Sequence, residues 1–499
     1  GNEVNDRRKP YQQGMIFRCD LNGANVETLG WNFRNNYEVA VDSFGTMWQS
    51  DNDDDGNKGV RINYVMDYGN FGYRSEVNGA AWKAARTGSN AEIPLRHWHQ
   101  NDPGVVPNLL QTGGGSPTGI CVYEGTLLPA QFHGQMIHCD AGPGVVRAYP
   151  ATSDGAGYKA TMVDILTSKD SWFRPADVCV APDSSIYIAD WNDAGVGGHN
   201  MADRDPEKMR GRIYRVAPPR FKSRQPDLKF DTPQNLVMAL ESPNQSARHL
   251  AHTKLVALGG AAEDPLKHAL ESNDARYKAR GFFILSKIFG KQKEHMQAAL
   301  NDANPDVRVA GIRMARQHEV LARRSRKETA RQINEILEKR DPAIVPGSGI
   351  TTFNNPYDIA NIVEQLIDDP SPRVRRECAI ALHGSKSQKA AALWAKLAAK
   401  HDGNDRWQLE ALGIGAAGQE DAFFAAWLKQ TGDRWNTPAG RDIVWRSRSK
   451  HSAALLAKLI VNKATPKAEK DRYLRAMDFI PKCTEKDTAL AEIAISALQ

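Results

Sequence analysis

The sequence predicts a partial β-propeller followed by an all-α solenoid of HEAT type. Three observations carry this reading. First, 26 of the 40 glycines and six of the 11 tryptophans fall within residues 1–218. Second, the same stretch alternates short β-branched and aromatic runs with tight-turn clusters, the pattern of antiparallel strands. Third, a helix–turn–helix phrase recurs at a spacing of 30 residues later in the chain. The expected boundaries are 1–218 for the β region, 219–228 for a linker and 229–499 for the helical region.

Strands are expected at Tyr37-Glu-Val-Ala-Val41, Gly119-Ile-Cys-Val-Tyr123, Gln135-Met-Ile-His138, Val145-Val-Arg-Ala-Tyr149, Asp177-Val-Cys-Val180, Ser185-Ile-Tyr-Ile-Ala189 and Arg212-Ile-Tyr-Arg-Val216. A repeated unit of strand, tight turn and strand, ending in acidic residues, suggests propeller blades. The turn Asp42-Ser-Phe-Gly45 and the strand Thr46-Met-Trp-Gln-Ser50 illustrate it. Ala217-Pro-Pro-Arg-Phe-Lys-Ser-Arg-Gln-Pro226 has the composition of a linker.

The helical phrase begins at Leu240, Leu270 and Leu300, 30 residues apart, and again at Leu366. Each copy ends one helix, turns through Asn, Asp, Ser or Pro, and opens another with an Ala-rich face. Stacked hairpins of this kind bury a continuous core, and the region is expected to act as a passive, extended docking arm. Residues 320–358 read as irregular. The basic run Arg323-Arg-Ser-Arg-Lys327 within them is a solvated face or a phosphate contact.

Composition excludes several classes. The chain has 499 residues, 41% of them hydrophobic and 25% charged, which is globular composition with room for two to four domains. No apolar run approaches the length of a membrane-spanning helix. A net charge of +6 is too small to argue for nucleic acid. The chain starts at Gly1 with no apolar leader, which leaves a cleaved signal peptide and a fragment both open. Six cysteines, none in a CxxC or CxxCH pair, argue against a zinc ribbon and covalent haem. They are read as buried thiols on strands, with disulfides as the alternative.

The most specific chemical signal is Asp51-Asn-Asp-Asp-Asp-Gly56. Carboxylates at alternate positions, Asp51, Asp53 and Asp55, converge on one hard cation in calcium loops, and Gly permits the sharp turn. The twelfth position is Ile62, so the closing Glu of an EF-hand is absent. The alternative is an acidic turn that only shapes the loop. Arg34-Asn35 before the cluster and Arg61 after it suit planar anions or a surface ion-pair network. His97 and His99 stand two apart, where on a strand they would share a face as metal ligands or supply a general base. Structural histidines capping a loop fit equally, as for His138 and His199. No GxSxG, HExxH, Walker loop or Rossmann GxGxxG occurs.

Several motifs in order give a resemblance. Asn32-Phe-Arg-Asn-Asn36, Asp42-Ser-Phe-Gly-Thr-Met-Trp-Gln-Ser-Asp-Asn52, Tyr68-Gly-Asn-Phe-Gly-Tyr73, His97-Trp-His-Gln-Asn-Asp-Pro-Gly104, Trp172-Phe-Arg-Pro-Ala-Asp-Val178 and Gly211-Arg-Ile-Tyr-Arg215 resemble the membrane-bound dehydrogenase family. That family's six-bladed propellers are related to soluble quinoprotein glucose and sorbosone dehydrogenases. The resemblance covers about residues 10–218, and members often carry HEAT-like repeats behind the propeller.

It implies a sugar or alcohol dehydrogenase, periplasmic or extracellular, that uses pyrroloquinoline quinone and calcium and passes electrons to a c-type cytochrome. Arg34 and Asn35 match the pair that contacts the quinone, with Arg61 and Arg174 as further cofactor-side residues. Calcium maps to about Gln49–Asp55. His97 and His99 are the candidate catalytic residues within the chain. The catalytic histidine of the resembled enzymes lies well before the Arg-Asn pair, however, and only 33 residues precede Arg34. It is therefore expected outside this chain, along with about two blades. A non-catalytic carbohydrate- or protein-binding scaffold, with its protein partner on the solenoid, is the alternative.

Overall fold

The structure, a computed structural model, describes residues 11–20, 22–54, 56–196, 206–224, 226–288, 290–339 and 358–498. Short strands between tight turns produce small sheets. β1 (Gly14–Arg18) pairs antiparallel with β2 (Glu27–Phe33), and β6 (Gly69–Asn70) joins β2 in parallel. β3 (Asn36–Val41), β4 (Met47–Asp51), β5 (Val60–Val65) and β7 (Leu110–Gly113) form an antiparallel meander. A second meander comprises β8 (Pro117–Tyr123), β9 (Gln135–Asp140), β10 (Val145–Tyr149) and β13 (Val163–Thr167). The hairpin of β11 (Ala151–Asp154) and β12 (Gly157–Ala160) extends from it. β14 (Pro175–Val180), β15 (Ile186–Asp190) and β16 (Arg212–Val216) make the last sheet.

The first strands of the last three sheets lie side by side. Glu38 on β3 accepts the Ile120 N–H of β8 at 2.8 Å, and the Thr118 hydroxyl donates to the Pro175 carbonyl at 2.8 Å. Gly119 permits the close approach, since a Cβ there would collide with Asp177. In the turn after β3, the Asp42 carboxylate accepts the N–H groups of Phe44 and Thr46 at 2.9 and 2.8 Å. Gly45 takes a φ of 78° there, which glycine adopts without strain. Among the described residues β1 and β16 pair only with β2 and β15 and not with each other.

Every run expected to be a strand is one. β2, β5, β6, β7 and β11 to β13 are not among those runs, and for β5 the reason is physical. β5 reads Val-Arg-Ile-Asn-Tyr-Val with all six residues buried, so its polar residues point into the protein and mask the usual alternation. His97 and His99 are not on a strand: His97 ends the short helix Ile93–His97, and His99 follows at a φ of 49°. The six cysteines are free; Cys139 and Cys378 are buried, and Cys378 lies on the helix Pro372–Ala381 rather than a strand.

The helical phrase has a shared physical basis. Arg248 donates to the carbonyls of Ser242 and Pro243 at 2.9 and 2.8 Å. Arg308 does the same to Asp302 and Ala303 at 2.8 and 3.0 Å, and Arg375 to Asp369 and Pro370 at 2.7 and 3.2 Å. In each copy the arginine stands in the first turn of the following helix and ties down the carbonyls of the interhelical turn. Leu240, Leu300 and Leu366 are buried, and Leu270 is half-buried.

Two expectations need correction. Residues 320–339 are not irregular: the helix Pro305–Lys339 runs through them. Its Arg, Lys, Glu, Gln and Leu content favours helix. The side chains of Arg323–Lys327 lie outside the described ones. Nor is the helical region a free arm. Trp407 packs on Tyr64 of β5 at 5.7 Å, and Tyr158 of β12 stacks edge-on to both Trp48 and Tyr64 at 5.0 Å. Glu377 pairs with Arg313, Arg316 and Arg376 at 2.9, 3.3 and 2.9 Å, and Arg316 reaches Asp67 at 2.7 Å. Glu124 pairs with Arg248 and Arg280, and Asp102 with Arg475. One apolar core joins Phe33 and Tyr64 to Leu300, Val374 and Trp445. Among the described residues no helix is long and apolar enough to cross a membrane.

Candidate functional site

The loop after β4 and the helix Ile93–His97 bring most of the candidate residues into one polar cluster. Its base is Asp51, the last residue of β4, fully buried. Its Oδ1 accepts the N–H of Asn35 at 2.8 Å and of Arg34 at 3.2 Å. Its Oδ2 accepts from Arg61 Nη2 at 2.8 Å and Nε at 3.3 Å. Arg61, directly opposite on β5, has no exposed surface and lies 3.5 Å from the Trp98 ring centroid, with Nη1 donating to Asn108. Burial pushes its pKa down to about 10, with Asp51 offsetting part of that.

Asp54 is the outer node. It accepts from Arg34 Nε at 2.9 Å, Tyr73 Oη at 3.1 Å and Trp82 Nε1 at 3.0 Å. Partial burial opposes its charge, but the hydrogen bonds from Arg34 and Trp82 and the nearness of His97 win, and its pKa falls below the ordinary carboxylate range. His97 Nδ1 lies 2.9 Å from Asn57 Nδ2 and 3.8 Å from Asp54 Oδ2, with the rings of Tyr73, Trp82 and Trp98 around it. Burial pushes His97 down to about 3, so the imidazole is neutral near pH 7. His99 turns the other way: its Nδ1 meets the Gly72 carbonyl at 2.8 Å, and burial holds it near 4. Around this cluster His97 Nε2, Asn52 Oδ1, Asn108 Nδ2 and Gln111 Nε2 are buried without a hydrogen-bond partner.

The carboxylates present do not fit calcium. Both oxygens of Asp51 are taken by N–H donors, and a cation there would stand against a buried guanidinium. Asp53 is directed to the Gly59 N–H, and Asp55 lies outside the described residues. Among the described residues no group of three His, Cys, Asp or Glu side chains could hold a metal ion. Alternation in sequence suggested convergence; the strand end at Asp51 turned that carboxylate inward instead.

The quinone fares no better. Arg61 is committed to Asp51 and Trp98, and Asn35 is exposed. Arg174 belongs to the last sheet, where it donates to the carbonyls of Phe173 and Ala194 at 2.9 and 3.1 Å. Arg34, Arg61 and Arg174 therefore do not form one cradle for an anionic cofactor. Asp54, Tyr73 and Trp82 are the residues that sequence reasoning did not single out. Asp54 occupies an even position in the acidic motif, which alternation discounts, and no local signal marks Trp82.

The class that fold and site define is a set of small meander sheets, backed by packed helices, with a polar cluster at one strand end. Residues 2–220 match a domain of unknown function, DUF7133. No curated protein matches the chain. Among solved structures, an oxidoreductase (glucose dehydrogenase) from Thermus thermophilus is 15% identical over 39% of this chain and 48% of that one, with a TM-score of 0.26. Another glucose dehydrogenase is 16% identical over 42% and 56%, with a TM-score of 0.31. The complex of CpcE and CpcF of phycocyanin lyase from Nostoc sp. PCC7120 is 14% identical over 56% and 100%, with a TM-score of 0.16. The chain spans about half the length of the glucose dehydrogenase structures it matches.

Proposed function

We propose that this chain is a binding scaffold of the dehydrogenase-like propeller type. Residues 1–218 are part of the propeller, 219–228 a linker and 229–499 a HEAT-like solenoid. The ligand is hydroxyl-rich, of the carbohydrate class, and sits at the Arg34–Asp54–His97 cluster. The observation that carries this reading is the convergence of Arg34, Tyr73, Trp82 and His97 on one partly exposed carboxylate, Asp54. Aromatic rings beside a carboxylate and an arginine suit a ligand whose hydroxyls both donate and accept. Asp54, with its side chain 36% exposed, supplies the charged contact at the rim. The motif resemblance of residues 10–218 supports the propeller framework and a periplasmic or extracellular setting.

The test is calorimetric titration of the full chain with a panel of mono- and oligosaccharides. A member of the panel binds saturably, and Asp54→Asn weakens it at least tenfold. Absence of binding across the panel overturns the reading.

One observation favours a second reading, a sugar or alcohol dehydrogenase with a cytochrome partner. Arg34 and His97 converge on the same Asp54 carboxylate, which sets a guanidinium and an imidazole side by side at one anion. Sugar-dependent reduction of an acceptor dye by the full chain, lost in His97→Gln with the fold kept, establishes that reading in place of the scaffold.

A further inference from the structure

The turn Asp42–Gly45, the helix Gln245–Leu258 and the end of the helix Ala275–Leu285 enclose a cleft of about 400 Å³, away from the Asp54 cluster. Five cationic or titratable basic side chains line it, and their charges are not balanced. Arg248 and Arg280 both lean on Glu124, at 3.0 and 3.1 Å. That carboxylate also accepts from the Ser43 N–H and hydroxyl, so its capacity is spent. Asp42, the acid on the cleft wall itself, accepts the N–H groups of its own turn. Burial, with Glu124 nearby, raises its pKa to about 6, so that part of it is uncharged near that pH.

What remains is a basic group without an acid. Lys287 Nζ donates to His252 Nε2 at 3.2 Å, and His249 lines the same cleft from one turn earlier. No carboxylate among the described residues pairs with Lys287. Burial and the Lys287 charge together push His252 down to about 4, which keeps it a neutral acceptor for the lysine. An ammonium held by a neutral imidazole keeps two N–H donors pointed outward. Gln245 and Gln317, also on the cleft wall, add amide donors.

We propose that this cleft binds a small multivalent anion, bearing phosphate or carboxylate groups, with Lys287 as its main charged contact. The size suits such a ligand, and charge-assisted hydrogen bonds from an otherwise unpaired lysine supply the affinity.

Calorimetric titration of the full chain with inorganic pyrophosphate and with citrate, in low-salt chloride buffer, tests this. The expected result is saturable one-to-one binding of at least one anion, weakened about tenfold by Lys287→Ala and largely kept by Lys287→Arg. Pyrophosphate binding alone identifies a phosphate ligand, and citrate binding alone a carboxylate one. Lys450→Ala, in the turn before the helix Ser452–Val461 where the lysine pairs with Glu485, leaves the affinity unchanged. Failure of both anions to saturate, or equal losses in Lys287→Ala and Lys450→Ala, overturns the proposal. Melting curves of each variant show that the fold is kept.

Discussion

Asp140, which ends β9, stands 3.6 Å from Arg147 on β10 and repeats in looser form the 2.8 Å pair of Asp51 and Arg61. Asp190 and Arg212 repeat it again at 3.7 Å. In all three sheets the buried Asp closes the second strand and faces an arginine on the third. It also accepts an N–H from the segment entering its own sheet: Arg34 and Asn35, Ser116, or Arg174. The placement recurs three times, but only Asp51 and Arg61 are hydrogen-bonded; Arg147 and Arg212 make their short contacts to Asp164 and Asp170 at 3.1 and 2.7 Å.

Asp51→Asn should be among the most damaging single substitutions. It leaves Arg61 fully buried with its charge uncompensated, a loss of about 3–5 kcal/mol for a broken buried pair. Urea denaturation of the variant measures it; an unchanged midpoint contradicts the pairing.

Gly157→Ala tests the contact between sheets and helices. A Cβ at this position runs into the Trp407 ring, with no room to retreat into the Tyr64–Tyr158 cluster. Overpacking of this kind costs about 1–3 kcal/mol. A helical region that only trailed the sheets would tolerate the methyl without loss of stability.

Leu300→Ala should cost about 2–5 kcal/mol, since the side chain is buried and packs over Gly311. Leu270→Ala, at the half-buried copy of the phrase, should cost less. Thermal melts of the two variants rank them, and the reverse order contradicts their placement.

Acid sensitivity follows from the buried histidines. His97 and His138 titrate near 3 and His99 near 4 in the folded protein, all pushed down mainly by burial. Unfolded, each titrates at about 6.5. Their stabilising contribution is therefore full above that value and is lost as pH falls toward the folded values, by about 1.4 kcal/mol per pH unit per site. Asp42 and Asp140, raised to about 6 by burial, act oppositely: their contribution is present below about 4 and lost as pH rises through 6. Replacing fully buried His138 with Gln should remove one proton from the pH dependence of stability between pH 6 and 4. A denaturation series with an unchanged slope shows that His138 is not held neutral.

Much of the secondary structure was legible, for reasons visible in single residues. Tyr37–Val41 and Arg212–Val216 carry β-branched and aromatic residues between turn formers, which is a local property. Leu240, Leu300 and Leu366 each precede a turn whose carbonyls an arginine only six residues further on ties down, which is again a local property. The candidate site was legible only in part. Arg34 and His97 were identifiable as polar groups in unusual company, yet their meeting at Asp54 was not, because 43 residues of chain separate Asp54 from His97.

By itself the sequence determined where strands and helices form, because turn chemistry and apolar spacing act over a few residues. Only the tertiary structure decided what the charged groups do. Asp51 reads as a cation ligand until β5 places Arg61 opposite it and removes both from water. Glu377 is an ordinary helix residue until three arginines converge on it against Tyr64 and Asp67. A charge is defined by its surroundings: burial raises the penalty for leaving it unpaired and fixes which partner it takes. That partner comes from another sheet or helix, at a distance along the chain that no local pattern records.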